Sequence, residues 1–240
     1  MLDNDYFGEG KVSSMDRVSI YDFCETIANF QTANSFIEYI TDEINTEQIN
    51  RVIKTRKFYS KIGFKKATNV LGHFTNYYFD KFFLLTAIKG MTKQQIEEYG
   101  RKFYRDRIKD NLISVTVDRI RLEQEAGYRI IIISASYEPV VKAFCDDYHI
   151  DHLIANMFDY DSNDRFTGKI IGKDCIGKNK VKRMNSCLSE YDYTILKSYS
   201  DSKSDIPILL AAETGIVISR NRHQKWTEKY GFQEIIWNRE

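Results

Sequence analysis

The sequence predicts an α/β protein with a mostly parallel sheet and a helical insertion, and three observations carry that prediction. From Val117 to the C-terminus, short apolar runs alternate with stretches of helical periodicity, joined by short connections that suit βαβ units. Asn34 to Thr116 has a different character, rich in aromatics and free of proline. The composition of the 240 residues, 42% hydrophobic and 29% charged, is that of a globular chain that buries a core, with room for one to two domains of about 150 residues.

In chain order, residues 1–16 mix acids, glycines and serines with no apolar stretch, so they read as a loose extension and not as a signal peptide. Val18 to Asp22 is a short β-prone run that ends on an acid. Within the insertion, Thr92-Lys-Gln-Gln95 has the capping-box form, and Ile96, Tyr99 and Phe103 then recur at helical spacing. Val117 to Ala126 reads as a helix stopped by Gly127, a residue that tolerates the left-handed conformation ending many helices. Arg129 to Ile133 is apolar at successive positions, the mark of a strand covered on both faces. Pro139 suits the first turn of a helix that carries Val141, Phe144, Cys145 and Tyr148, and Leu153 to Ala155 follows as a strand. Arg165 to Lys169 does not read as a buried strand. Val181, Met184 and Leu188 line a further helix. After it come a strand (Tyr193 to Tyr199), a helix (Asp205 to Ala212), a strand (Gly215 to Ser219), and a last helix and edge strand (Trp226 to Tyr230, Gln233 to Trp237).

Several function classes fall away on composition. Thirty-five Lys and Arg against thirty-four Asp and Glu give a net charge of +1, which supplies no field to attract nucleic acid or an anionic membrane. The longest apolar runs, Phe82 to Ile88 and Ile130 to Ile133, are far short of the roughly 18 residues that span a bilayer. Cys24, Cys145, Cys175 and Cys187 contain no CxxC and fit a reduced cytoplasm, and His73, His149, His152 and His223 form no zinc pattern. The basic run Arg51, Lys54, Arg56, Lys57, Lys61, Lys65 and Lys66 is either a solvated helix face or an approach path for anionic substrates. Tyr77, Tyr78, Phe79, Phe82 and Phe83 read as core of the insertion.

Polar groups fall directly after the apolar strands: Asp22 after the first, Ser134 after Ile133, Asp201 after Tyr199. In a parallel sheet those ends share one edge, where ligands bind. Lys180 and Asp205 lie in neighbouring segments. Carboxylate oxygens suit a hard cation, and a hydroxyl with a lysine suits phosphate oxygens, so the set permits phosphoryl transfer to a carboxylate.

These residues resemble the haloacid dehalogenase superfamily, and within it the phosphoserine phosphatase-like branch with a helical cap. Asp22-Phe-Cys-Glu-Thr26 looks like the first motif, DxDx(T/V), whose leading Asp is the phosphoryl-accepting nucleophile. Ile133-Ser134-Ala135-Ser136 resembles the second, whose Ser or Thr holds a phosphate oxygen. Ser136 competes with Ser134 for that role, and Ser134 is preferred because it directly follows the strand. Gly177-Lys-Asn-Lys180-Val looks like the third, whose Lys steadies nucleophile and phosphate, and Ser200-Asp201-Ser-Lys-Ser-Asp205 is similar to the fourth, GDSxxD. The likeness covers most of the chain. It implies a Rossmann-like core (17–34 and 117–240) and a helical cap (35–116) that opens through the connections near 32–35 and 114–118. It implies magnesium held by Asp22, the backbone carbonyl of Cys24, Asp201 and Asp205, and substrate contacts from Thr26, Ala135 and Ser136. The expected enzyme is a phosphohydrolase or phosphotransferase acting on a small phosphorylated metabolite.

Three positions depart from the family pattern. Cys24 replaces the second Asp of the first motif, which in family phosphatases protonates the leaving oxygen and then activates water. Glu25 stands where Gly is usual, and Ser200 replaces the Gly of the fourth motif. Cys24 therefore raises an alternative, a degenerate member that binds a phosphorylated ligand without turnover. A dehalogenase needs no cation, whereas Asp201 and Asp205 retain a metal-binding pair. A remoter alternative is a nucleotide-binding loop, GxxxxGK(S/T), suggested by Gly172 to Asn179. It lacks the final hydroxyl, because Asn179 stands there.

Overall fold

The computed structural model describes residues 16–44, 47–61, 79–150, 152–189 and 192–238. Expectations on residues 1–15, Lys65, Lys66, His73, Tyr77 and Tyr78 lie outside the described residues, as do those on the side chains of Arg56, Lys57, Lys61, Phe79 and Phe82. The elements are β1 (Asp16–Tyr21), α1 (Thr32–Ile44), α2 (Glu47–Lys61), α3 (Phe79–Ala87), α4 (Lys93–Phe103), α5 (Ser114–Glu125), β2 (Arg129–Tyr137), α6 (Glu138–Asp147) and β3 (His152–Asn156), followed by β4 (Phe158–Tyr160), β5 (Phe166–Ile170), α7 (Lys178–Leu188), β6 (Tyr193–Ser200), α8 (Ile206–Leu209), β7 (Thr214–Arg220) and β8 (Gln233–Trp237).

Six parallel strands make one sheet in the order β3-β2-β1-β6-β7-β8. The chain enters at the middle with β1, winds out through β2 and β3, and returns across β1 to lay down β6, β7 and β8 on the other side. Connections leave the strands next to β1 in opposite directions, and the crevice this opens lies at the carboxyl ends of β1, β2 and β6.

Side chains alternate across a strand, so the run Ile130 to Ile133 serves both faces. Ile130 and Ile132 join Tyr21 and Tyr199 in one apolar cluster; Ile131 and Ile133 join Val18, Ile20 and, from α7, Met184 and Leu188 in the other. The first cluster continues through Phe36, Ile37 and Ile40 of α1, Leu84 and Leu85 of α3, and Ile96 and Phe103 of α4. The helical stretch thus packs on the sheet through shared apolar surface. Local signals hold where they are strong. Thr92 and Gln95 form both halves of a capping box at α4, Gly127 ends α5 at φ 77°, and Pro139 lies in the first turn of α6. Among the described residues no helix is long and apolar enough to cross a membrane.

The structure differs from expectation in four places. β1 starts at Asp16, two residues early, where the carboxylate pairs with Arg129 at 2.8 Å. β2 runs on to Tyr137, because the backbone pairs again with β3 at Asn156 after a register shift; Ser134 and Ser136 therefore sit on the strand end and not in a loop. β4 and β5 form an antiparallel hairpin outside the main sheet, so the stretch Arg165 to Lys169, read as no buried strand, contributes to β5. Only Phe166 and Ile170 at its ends are buried, which leaves too short a pattern to read. Gly172 to Asn179 consequently follows an edge hairpin and not a strand of the parallel sheet, which removes the scaffold a nucleotide-binding loop needs. Finally, the helices expected over Asp205 to Ala212 and Trp226 to Tyr230 shrink to the four-residue α8 and to a 3-10 turn, Glu228–Tyr230, closed by Gly231 at φ 67°.

Candidate active site

Tyr21 is paired with Ile132 on one side and Tyr199 on the other, and the Asp22 amide donates to the Tyr199 carbonyl at 2.9 Å. Asp22 and Asp201 therefore leave the sheet together, one and two residues past Tyr21 and Tyr199, beside Ser134, which lies two residues past Ile132 on β2. Gly177, at φ 54°, starts α7 with its Cα face turned to the carbonyl of Ser204, which an added Cβ would approach to 3.3 Å. Its left-handed backbone suits glycine, and α7 then aims Lys180 back under the strand ends.

The ammonium of Lys180, itself buried, lies 2.8 Å from Asp22 Oδ1 and 2.5 Å from Asp205 Oδ2. Ser200 donates to the same Asp205 oxygen at 2.7 Å. Thr26 donates to Asp201 Oδ1 at 3.3 Å. Burial pushes the Asp22 carboxyl up to about 6, with Lys180 opposing and the charge of Asp205 adding. Burial also lifts Asp201, to about 8, reinforced by the charges of Asp22, Glu25 and Asp205. Burial by itself lowers the Lys180 ammonium, but Asp22 and Asp205 outweigh it and hold it above its usual range. The site carries more negative charge than one lysine offsets.

That surplus bears on a metal. Among the described residues no three His, Cys, Asp or Glu side chains gather closely enough to form a metal cage on their own. Two observations nevertheless fit a hard cation: the second carboxylate oxygen of Asp205 is buried without a hydrogen-bond partner, and burial, with the like charges of Asp22, Glu25 and Asp205, drives Asp201 toward its neutral form. Oxygen donors from carboxylates and a backbone carbonyl are the set magnesium takes, with water completing the shell.

Cys24, at the third position of the DxDx(T/V)-like motif, sits beside this set. Its sulfur is 3.1 Å from the Thr32 hydroxyl, which in turn lies 2.7 Å from the hydroxyl of Ser136. Burial and the nearby Asp22 charge push the thiol up to about 11, against the hydrogen bonds from Thr32. Glu25 adopts φ 57°, a left-handed backbone that explains why glycine suits this position, and its carboxylate takes the Gln31 side-chain amide. The Ser134 hydroxyl accepts the Ser136 amide at 3.0 Å, and both side chains are buried. Ala135, half-buried between them, gives its carbonyl to Asn156 at 2.7 Å. A cavity of ≈ 180 Å³ opens beside Asp201, lined by Glu25, Asn29, Ser219, Arg220 and Trp237 among others. A larger one, ≈ 850 Å³, lies by Arg129 and His152 at the opposite end of the strands and is remote from these groups.

The structure thus gathers Asp22, Lys180 and Asp205 in direct contact, with Asp201, bonded to Thr26, close enough to feel the charges of Asp22 and Asp205. It adds two residues that sequence reading missed. Ser200 was legible only as a departure from glycine, whereas its hydroxyl orients Asp205. Thr32 carried no signal, because nothing in one sequence ties it to Cys24 or Ser136.

The sequence pattern of the haloacid dehalogenase-like hydrolase family matches residues 20–210, most of the chain and all four motifs. The chain belongs to the haloacid dehalogenase-like hydrolases. Among curated proteins, this hydrolase is 21% identical to a histidinol-phosphatase of Neisseria meningitidis serogroup C (strain 8013), over 85% of this chain and 91% of the relative. Among solved structures it superposes on a protein of unknown function from Bordetella pertussis Tohama I with TM-score 0.71 at 20% identity, covering 92% of this chain and 99% of the other. It also superposes on phosphoserine phosphatase from T. onnurineus with TM-score 0.51 at 16% identity, over 95% and 93% of the two chains. The structural likenesses establish a shared fold. Within the family, this hydrolase aligns with phosphatases.

Proposed function

We propose that this hydrolase is a magnesium-dependent, cytoplasmic phosphomonoesterase that acts on a small phosphorylated metabolite through an aspartyl-phosphate on Asp22. The observation that carries the reading is Lys180, whose buried ammonium joins Asp22 to Asp205 at the strand ends where Ser134 also emerges. Magnesium would be held by Asp22, Asp201 and the carbonyl of Cys24, with Asp205 direct or through water; bound there, it supplies positive charge against the phosphoryl oxygens. Asp22, ionised at neutral pH even with its raised pKa, attacks phosphorus as the bond to the leaving oxygen breaks. Lys180 and the hydroxyl of Ser134 offset charge on the equatorial oxygens, with Thr26, Ala135 and Ser136 lining the phosphoryl site. Water then cleaves the acyl phosphate, which releases inorganic phosphate and restores the carboxylate. The named activity of the Neisseria relative makes histidinol phosphate the first substrate to try. A screen of phosphomonoesters with magnesium, including phosphoserine and an aryl phosphate, tests the reading together with Asp22→Asn, which abolishes turnover. An Asp22→Asn protein that still forms a phospho-enzyme places the nucleophile elsewhere.

One observation favours a second reading, binding without turnover: the Cys24 thiol, held by Thr32 and pushed up to about 11, is a weak proton donor at the position where the family keeps an acid. Absence of turnover on the whole panel, with phosphate bound, selects it.

A further inference from the structure

The mechanism above leaves unused a buried charge cluster on the β3 side of the site. Asp174 lies in the loop between β5 and α7, and its carboxylate is almost wholly buried. Lys81 of α3 reaches it at 2.7 Å and is itself buried. The other carboxylate oxygen of Asp174 takes the Asn156 amide at 2.6 Å, and the same amide donates to the carbonyl of Ala135 at 2.7 Å. The Asn156 side-chain oxygen accepts the Cys175 amide at 2.9 Å, while the Asn179 side chain donates to the Asp174 carbonyl at 3.0 Å, one residue before Lys180. Asp174 therefore touches the site by two arms, one leading to Ser134–Ser136 at the end of β2 and one to the first turn of α7. Lys81 also stands 5.4 Å from the ring centroid of Tyr137, the residue that ends β2 just past Ser136.

A charged group this deeply buried is costly to leave without a partner of opposite sign. Among the described residues, the cation on Asp174 is Lys81, and Lys81 belongs to the helical stretch inserted between β1 and β2. A residue needed only for packing there would be apolar. We propose that Lys81 is a positioning residue: by neutralising Asp174 from the inserted helices, it fixes Asn156 and hence the Ala135 carbonyl, which sets the end of β2 that receives the phosphoryl group. Seating of α3 and binding of phosphate are then coupled, and each favours the other to the same degree.

The inference rests on the reading of Ser134–Ser136 as the phosphoryl site, and the test separates the two. Native protein, Lys81→Met, Asp174→Asn and the double variant are compared by calorimetry with inorganic phosphate, by hydrogen exchange over residues 134–137 without ligand, and by kcat and KM on an aryl phosphate. Lys81→Met is expected to weaken phosphate binding about tenfold, the scale on which residues behind a binding residue act, and to speed exchange over 134–137. In the Asp174→Asn background the same change is expected to do little, because no buried charge is left to neutralise. Lys81→Gln takes the place of Lys81→Met if the latter does not fold. Native phosphate affinity and native exchange in the Lys81 variant overturn the proposal, and so does an equal loss in the Asp174→Asn background. If exchange over 134–137 responds to Lys81 while the native protein binds no phosphate, the positioning link stands and the phosphoryl reading falls.

Discussion

In the proposed mechanism, Cys24 is the residue at which the chemistry of this hydrolase departs furthest from its family. A positioned general acid-base is worth about 10²- to 10⁴-fold in rate, and a thiol pushed up to about 11 gives little of that to a departing alkoxide. Leaving groups that need no proton, such as phenolates, lose least. Cys24→Asp is therefore expected to raise turnover of alkyl phosphates by at least about tenfold and of aryl phosphates by less. Steady-state kinetics on one substrate of each kind measures the difference. Equal or absent gains, with phosphate still bound, mean that Cys24 lies off the path of the proton. The neighbour that matters is Thr32, whose hydroxyl now satisfies the sulfur and Ser136 together. An aspartate placed there inherits a hydrogen-bond donor.

At the scale of elements, β1 and β6 must end in register for Asp22 and Asp201 to converge, and a buried polar cluster beneath them enforces this. Tyr21 and Tyr199 stack at 4.2 Å, and each donates its hydroxyl to Glu123 of α5 at 2.6 Å. Lys197 adds its ammonium at 2.9 Å. Glu123→Gln keeps the shape but removes the charge these donors address, so it is expected to cost about 1.5–3 kcal/mol, the range for hydrogen bonds to a charged group. The urea midpoint reports it, and an unchanged midpoint refutes the role of the charge. At the far edge of the sheet, His223 lies between Glu228 and Glu234, whose hydrogen bonds and charges raise its pKa. A raised histidine stabilises the folded state fully below the unfolded pKa of about 6.5 and loses that contribution as pH rises through the folded pKa. His223→Gln should flatten this part of the Tm profile between pH 6 and 8. A profile that keeps its slope assigns the pH dependence to other groups.

Across the whole molecule, the helical stretch is not attached evenly. α4 crosses α6 so closely that a Cβ on Gly100 would sit 2.4 Å from the Pro139 carbonyl oxygen. The connection ahead of α4 is stitched to β5, with Gly90 donating to the Phe166 carbonyl and Phe166 to the Met91 carbonyl, both at 2.8 Å. Gly100→Ala must push the two helices apart and is expected to cost about 1–3 kcal/mol, read as a lower denaturant midpoint. No loss would mean that the crossing relaxes freely. If the insertion opens for substrate, we propose that α2 and α3 move, because α4 shares backbone hydrogen bonds and tight packing with the core. Lys81 would travel with α3.

The sequence by itself determined the elements whose signals are local. Ile130 to Ile133 specified a doubly covered strand, Thr92 and Gln95 a helix start, and Gly127 a helix stop, because each depends on neighbours within a few residues. It also made the motif residues Asp22, Ser134, Lys180, Asp201 and Asp205 legible, since a parallel sheet delivers strand ends to one edge whatever the rest of the chain does. Tertiary structure decided what long-range contacts control. The β4–β5 hairpin is short and half-exposed, and it is held by Tyr137 stacked on Phe158 at 4.7 Å and by the connection before α4. The partners of Cys24, the hydroxyl that Ser200 gives to Asp205, and the meeting of Lys81 with Asp174 join residues whose types alone say nothing of one another. Burial is the physical reason they matter: only where water is excluded must each charge and donor find a partner, and only the folded chain fixes which places are dry.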